Sequence, residues 1–187
     1  SLNINNCATE TRLFISEEKK KFAKKLLSTN RKNIVIGVGS SGPTTKWGFS
    51  NYINLIRKLH NEKNSFFLIL GGLEDKKEVD KIINEIGSNN CLSLCEMGIN
   101  QITPLISLSN LYIGNDSFGQ HVASQCNIPS IVIMLDTPKA YSDYSINQFR
   151  ILPENINEND ISHDSTFAPD TIKVEKVLEK IFSLLKL

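Results

Sequence analysis

A chain of 187 residues with 40% hydrophobic content suffices for one well-packed domain, or two very small ones, and a single domain is expected. Its 21 basic and 20 acidic side chains leave a formal net charge of +1, so no overall field recruits nucleic acid or an anionic bilayer, and any anion site must be local. The four cysteines, Cys7, Cys91, Cys95 and Cys126, lack metal-ligand spacing and read as free thiols of a reducing compartment.

No apolar run approaches the roughly 20 residues that span a bilayer, and no signal peptide precedes the first charged segment. A cytoplasmic protein is expected, with peripheral contact at the inner face of the cytoplasmic membrane left open. Residues 1–10 read as a linker or remnant, and 11–187 as the domain.

Ser16-Glu17-Glu18 offers an N-cap and first-turn acids to a helix with the apolar stripe Phe22, Ala23, Leu26 and Leu27. Lys19, Lys20, Lys21, Lys24 and Lys25 fall partly opposite that stripe and are read as a solvated face in preference to a membrane contact. The β-branched run over 33–38 then predicts a buried parallel strand. Phe49, Tyr52, Ile53, Ile56 and Leu59 recur at helical spacing, and 66–70, closed by Gly71-Gly72, is a second strand.

This rhythm continues with a helix over about 75–86, a strand over 91–95, a helix over 101–108, a strand over 111–114, a helix over 117–126 and the most apolar strand, 130–135. Five strands with helical crossovers imply an α/β fold with a parallel sheet wound on both faces. From 136 to 169 the composition turns to Asn, Asp, Ser and Pro and reads mostly as loop, with Ile151-Leu152 a short edge strand. Pro169-Asp170 opens a final amphipathic helix.

Ligands of an open parallel sheet bind beyond the carboxyl ends of its strands. The loop after the first strand contains Gly37-Val38-Gly39-Ser40-Ser41-Gly42, a match to G-x-G-x-x-G, but Pro43 and four more residues delay the helix, and the acid expected about 20 residues onward is missing. A dinucleotide site is therefore disfavoured. Ser41 and Lys46 suit phosphate oxygens, one as hydrogen-bond donor and one as point charge. On this loop alone, however, a solvated lysine beside a packed Trp47 is the better reading.

In Gly114-Asn115-Asp116-Ser117-Phe118-Gly119-Gln120-His121 a strand runs straight into a helix, whose unpaired N–H groups favour an anion. Asp116 is either an N-cap or the holder of a sugar or ribose hydroxyl, and His121, one turn in, lies beside the same ligand. Asp136-Thr137-Pro138 is a further helix-start signature aimed at the same edge.

Together these segments resemble glycosyltransferase family nine, the ADP-heptose:lipopolysaccharide heptosyltransferases, from about 11 to 144. The 115–124 stretch is similar to the family's D-[ST]-G-x-x-H-x-A, Lys46-Trp47-Gly48 to its K-x-W step, and Asp136-Thr137-Pro138 to its G-P-T. The resemblance implies a Rossmann-like doubly wound sheet, the second domain of a GT-B glycosyltransferase. It implies further that Ser41 and Lys46 contact the donor diphosphate, that Ser117, Phe118 and Gly119 offer it backbone N–H groups, that Asp116 and His121 lie beside the donor sugar, and that Met97 packs on the nucleobase.

The implied activity is inverting transfer of heptose or a related sugar from a nucleotide-sugar, ADP-heptose foremost, to lipopolysaccharide or another glycan, with no nucleic-acid partner and no cofactor. No D-x-D occurs, so the charge on the diphosphate is expected to be met without metal, by Lys46 and a helix terminus.

Two departures stand out. Phe118 occupies a position that is usually glycine in the family, and the amino-terminal domain with the acceptor site and catalytic carboxylate is not in this sequence. No catalytic residue is assigned here, and the chain by itself should bind donor without transferring sugar. Two other readings stay open: another GT-B nucleotide-sugar enzyme, with a different donor or an epimerase activity, and a non-catalytic nucleotide-binding module.

Overall fold

The computed structural model describes residues 11–40, 46–62, 64–142, 145–165 and 167–185. Cys7 and the 1–10 linker lie outside them. The elements alternate: α1 (Glu17–Lys24), β1 (Lys32–Gly37), α2 (Phe49–Glu62), β2 (Ser65–Leu70), α3 (Lys76–Ile86), β3 (Cys91–Ser93), α4 (Ile99–Ser107), β4 (Leu111–Asn115), α5 (Phe118–Gln125), β5 (Ser130–Ile133), β6 (Gln148–Ile151) and α6 (Val174–Leu185). All strands pair in parallel, in the order β3-β2-β1-β4-β5-β6.

The sheet is buried on both sides, and its central strands carry apolar residues at consecutive positions, as at 34–36, 66–70 and 131–133, rather than at alternate ones. Side chains still alternate between faces. Ile34, Ile36, Phe67, Ile69, Ile113 and Ile131 enter one core layer, with side chains of α2, α3 and α6. Val35, Leu68, Leu70 and Tyr112 enter the other, with α1, α4 and α5.

Three expectations need adjustment. The edge strand spans Gln148–Ile151 rather than 151–152, and is a full sixth strand in register with β5; its Gln148 and Arg150 hid it from an apolar pattern search. The last helix does not start at Pro169-Asp170. Pro169–Thr171 forms one 3-10 turn, and Ile172, fully buried and extended, interrupts before α6 begins at Val174. Asp136-Thr137-Pro138 opens only the 3-10 turn Lys139–Tyr141, not a helix.

At the sheet centre Gly37 of β1 pairs with Gly114 of β4, and the Tyr112 side chain lies over both. A Cβ at Gly37 would stand 2.1 Å from the Tyr112 hydroxyl oxygen, and one at Gly114 would stand 2.6 Å from both that oxygen and the Gly37 carbonyl oxygen. The backbone contact cannot be relieved by a rotamer change. Gly114→Ala is therefore expected to cost about 1–3 kcal/mol in urea denaturation, a value near zero showing that the strands part freely.

Burial pushes the Cys91 thiol up to about 12 and raises that of Cys95. Because the folded value exceeds the unfolded one, near 9, stability should be intact below that pH and fall as pH rises toward 12. Both thiols should react with iodoacetamide far more slowly in the native chain than in urea at mildly alkaline pH. Equal rates would contradict their burial.

Candidate functional site

Chain connections from β1 and β4 lead to opposite sides of the sheet, and their carboxyl ends open the crevice typical of such a switch point. Asn115, the last residue of β4, is buried there. Its amide nitrogen donates to the Val38 carbonyl at 3.1 Å, and its amide oxygen accepts the Trp47 N–H at 3.0 Å. One side chain thus holds both ends of the loop after β1. Trp47 is fixed further: its indole N–H donates to the Ile172 carbonyl at 2.8 Å, and its buried ring meets Tyr52 edge-on. The carbonyl that Ile172 presents in leaving the helical path is the one this indole uses.

Lys46 follows from that clamp, next to Trp47. Its ammonium lies 3.4 Å from Oδ1 of Asp75, a buried carboxylate whose Oδ2 accepts the Gly72 N–H at 3.0 Å. A Cβ at Gly39 would fall 2.5 Å from that Oδ2. The glycines of the G-x-G-x-x-G run therefore have packing reasons: Gly37 leaves room for Tyr112 and Gly39 for Asp75. No helix receives a pyrophosphate directly after them, since α2 starts only at Phe49. Ser41 and Gly42 lie outside the described residues.

Asp116 is not the N-cap of α5. Ser117 holds that position with extended backbone, and no side chain caps the helix. The Ser117 hydroxyl instead lies 3.1 Å from that of Tyr112, whose buried phenol is raised above the ordinary tyrosine range by desolvation. The Phe118 and Gly119 N–H groups at the start of α5 thus have no side-chain cap, while that of Gln120 donates to the Ser117 carbonyl at 3.1 Å.

Asp116 is held from below. Its Oδ1 accepts from Gln120 Nε2 at 2.7 Å and lies 3.6 Å from His121 Nε2, too far for a hydrogen bond. Gln120 is fully buried; its amide nitrogen also donates to the Tyr141 carbonyl at 3.1 Å, and its oxygen accepts from Gln148. Two donors on that nitrogen and two oxygen acceptors leave none for the His121 ring, which sits beside it.

Gly119 packs tightly: a Cβ there would stand 2.5 Å from Tyr112 Cε2 and 2.6 Å from Leu70 Cδ2. Phe118 points outward and is 40% exposed, so the close approach of helix to sheet is made by Gly119. Met97 sits half-buried on the loop after β3, packed on the Tyr112 side of the sheet. Strand β3, which precedes it, is two places from β1 in the sheet. Among the described residues no three His, Cys, Asp or Glu side chains converge on a metal-sized space.

Asn115, Asp75, Gln120 and Tyr112 had no role in the sequence reading. The partners of Asn115 lie 68 and 77 residues away and leave no local trace.

The strand order and the crevice define a Rossmann-like α/β domain. Within that class, the chain belongs to glycosyltransferase family 9 (heptosyltransferase), whose family model matches residues 1–166. It is 27% identical over 164 residues to lipopolysaccharide heptosyltransferase 1 of Campylobacter coli, an alignment covering 84% of this chain and 48% of the relative. The solved structure of E. coli ADP-heptose lps heptosyltransferase II superposes with a TM-score of 0.76 at 24% identity, covering 94% of this chain and 53% of that one. For the family 9 glycosyl transferase of Veillonella parvula the TM-score is 0.79 at 17% identity, with 99% and 57% covered. These likenesses place the fold as one half of a GT-B glycosyltransferase, and the chain spans about half the length of the relatives it matches.

Asn115→Ala should cost about 2–4 kcal/mol in urea denaturation, since it strands the buried Val38 carbonyl and Trp47 N–H together. A loss below about 0.5 kcal/mol would show that the loop is held elsewhere.

Proposed function

We propose that this chain is the donor-binding domain of a glycosyltransferase that moves heptose, or a related sugar, from ADP-heptose to a lipopolysaccharide or similar glycan acceptor. The observation that carries the reading is the pairing at the switch point: Lys46 and the uncapped start of α5 stand on either side of Asn115. Family membership and the names of the Campylobacter and E. coli relatives support the sugar and the acceptor class.

In this reading Lys46, with Ser41, meets the donor diphosphate, and the N–H groups at Ser117, Phe118 and Gly119 meet it from the other side. Charge gathers on that diphosphate as the glycosidic bond breaks. Lys46 and the helix start stabilise it most strongly then, which makes them contributors to rate as well as to binding. Asp116, held by Gln120, accepts from a sugar hydroxyl, with His121 beside it.

Met97, half-buried on the loop after β3, packs on the nucleobase of the same ligand. The acceptor and the group that deprotonates it belong to the amino-terminal half of the enzyme, working at the cytoplasmic side of the membrane.

Calorimetric titration of the chain with ADP, UDP, GDP and NAD, without metal, tests the proposal. ADP should bind best, and Lys46→Ala should weaken it roughly 10- to 100-fold, the loss of a charged hydrogen bond. Preference for UDP would change the donor; binding of NAD alone, or of no nucleotide, would overturn the reading.

A further inference from the structure

Gln120 is fully buried in the first turn of α5, among the buried Gly119, Val122 and Ala123. An amide in such a place is costly unless its polar atoms are paired, and a methionine of similar length would pack there without that demand. Its backbone N–H already donates to the Ser117 carbonyl at 3.1 Å, so the side chain is not needed to start the helix. The side chain instead joins three segments. Its Nε2 donates to Asp116 Oδ1 at 2.7 Å, just past β4, and to the Tyr141 carbonyl at 3.1 Å, while its Oε1 accepts from Gln148 of β6.

Chemistry fixes the direction of these bonds. A carboxylate oxygen and a carbonyl oxygen meet one end of the Gln120 amide, so that end is the NH2 group; turned over, it would set oxygen against oxygen at both contacts. The Gln120 oxygen then faces β6, where the NH2 group of Gln148 meets it. Gln148 is itself buried, and its Oε1 is left without a donor among the described residues. Ser130, its register partner on β5, does not supply one. Two buried amides with one oxygen unmatched hold α5 to β6 less well than two apolar side chains would. The cost is explained by the far end of the chain of bonds. Among the described residues the polar contacts of the Asp116 side chain fall on Oδ1, so Oδ2 is the oxygen left to a ligand.

We propose that Gln120 is a positioning residue: held by Gln148, it locks the Asp116 carboxylate in the rotation that offers Oδ2 to a hydroxyl of the donor sugar. This rests on the donor reading above. Edge strand β6, two places from β4 in the sheet, thereby sets how firmly the sugar half of the ligand is gripped and leaves the diphosphate contacts at Lys46 and α5 alone.

The test measures two affinities of the 187-residue chain by calorimetry, for ADP and for ADP-heptose, and takes the ratio of the ADP Kd to the ADP-heptose Kd. Asp116→Ala should lower that ratio about 10-fold, the loss of a hydrogen bond to a charged group. Gln120→Met and Gln148→Met should each lower it about 3- to 10-fold. Gln120→Met combined with Asp116→Ala should go no lower than Asp116→Ala alone, because the one acts through the other. Gln120→Met combined with Gln148→Met removes the unmatched oxygen along with both amides, and should melt within about 4 °C of the unaltered chain while showing the same fall in ratio. A ratio that Asp116→Ala lowers and Gln120→Met does not would overturn the inference and leave the donor reading standing. So would losses that add in the Asp116 combination, or a fall confined to variants that melt early, which would assign both glutamines to the fold. No binding of either ligand, or a ratio that Asp116→Ala does not move, would overturn the donor reading and this inference with it.

Discussion

The two hydrogen bonds of the Asn115 side chain determine where the loop after β1 leaves the sheet and where it returns. They are made at the one position where neighbouring strands diverge in their connections, so this amide fills a gap that no ladder hydrogen bond can close. Trp47 then fixes α6 through Ile172, and Lys46 reaches Asp75. On the other side of Asn115 the chain turns at once into Asp116 and α5. Both halves of the candidate site are therefore referenced to the same side chain, and a shift of one moves the other.

Tyr112 imposes a second constraint from beneath. Its ring occupies space that side chains at Gly37, Gly114 and Gly119 would otherwise fill, and its hydroxyl turns the Ser117 hydroxyl away from the helix start. The unfilled cap of α5 is thus a packing consequence of a buried tyrosine, not an omission in the sequence. It leaves the Phe118 and Gly119 N–H groups without a side-chain cap, open to an acceptor from outside the protein.

Periodicity sufficed for the central strands and for the helices between them because β-branched and apolar runs such as 34–36 and 131–133 are buried on both faces. It failed at β6, where Gln148 and Arg150 make polar contacts instead of packing, and at 169–173, where Ile172 leaves the helical path to be buried. For the site, strand-end position and chemistry singled out Lys46, Asp116 and His121. They could not reveal Asp75, Gln120 and Asn115, polar residues whose role depends on partners distant in sequence or inside the core. Nor could they settle whether Asp116 caps α5; Ser117 does so by backbone geometry, and that follows from Tyr112.

The ion pair between Lys46 and the buried Asp75 bears on how fast an anionic ligand could arrive. The Asp75 carboxylate, 3.4 Å from the Lys46 ammonium, offsets that charge at a distance, so the pair projects little positive field into solvent. Long-range attraction, which falls off within roughly 10 Å at ordinary ionic strength, would contribute little. Encounter would proceed at the unsteered rate with a shallow dependence on salt, and selectivity for a diphosphate would appear in residence time, through the short-range N–H groups of α5.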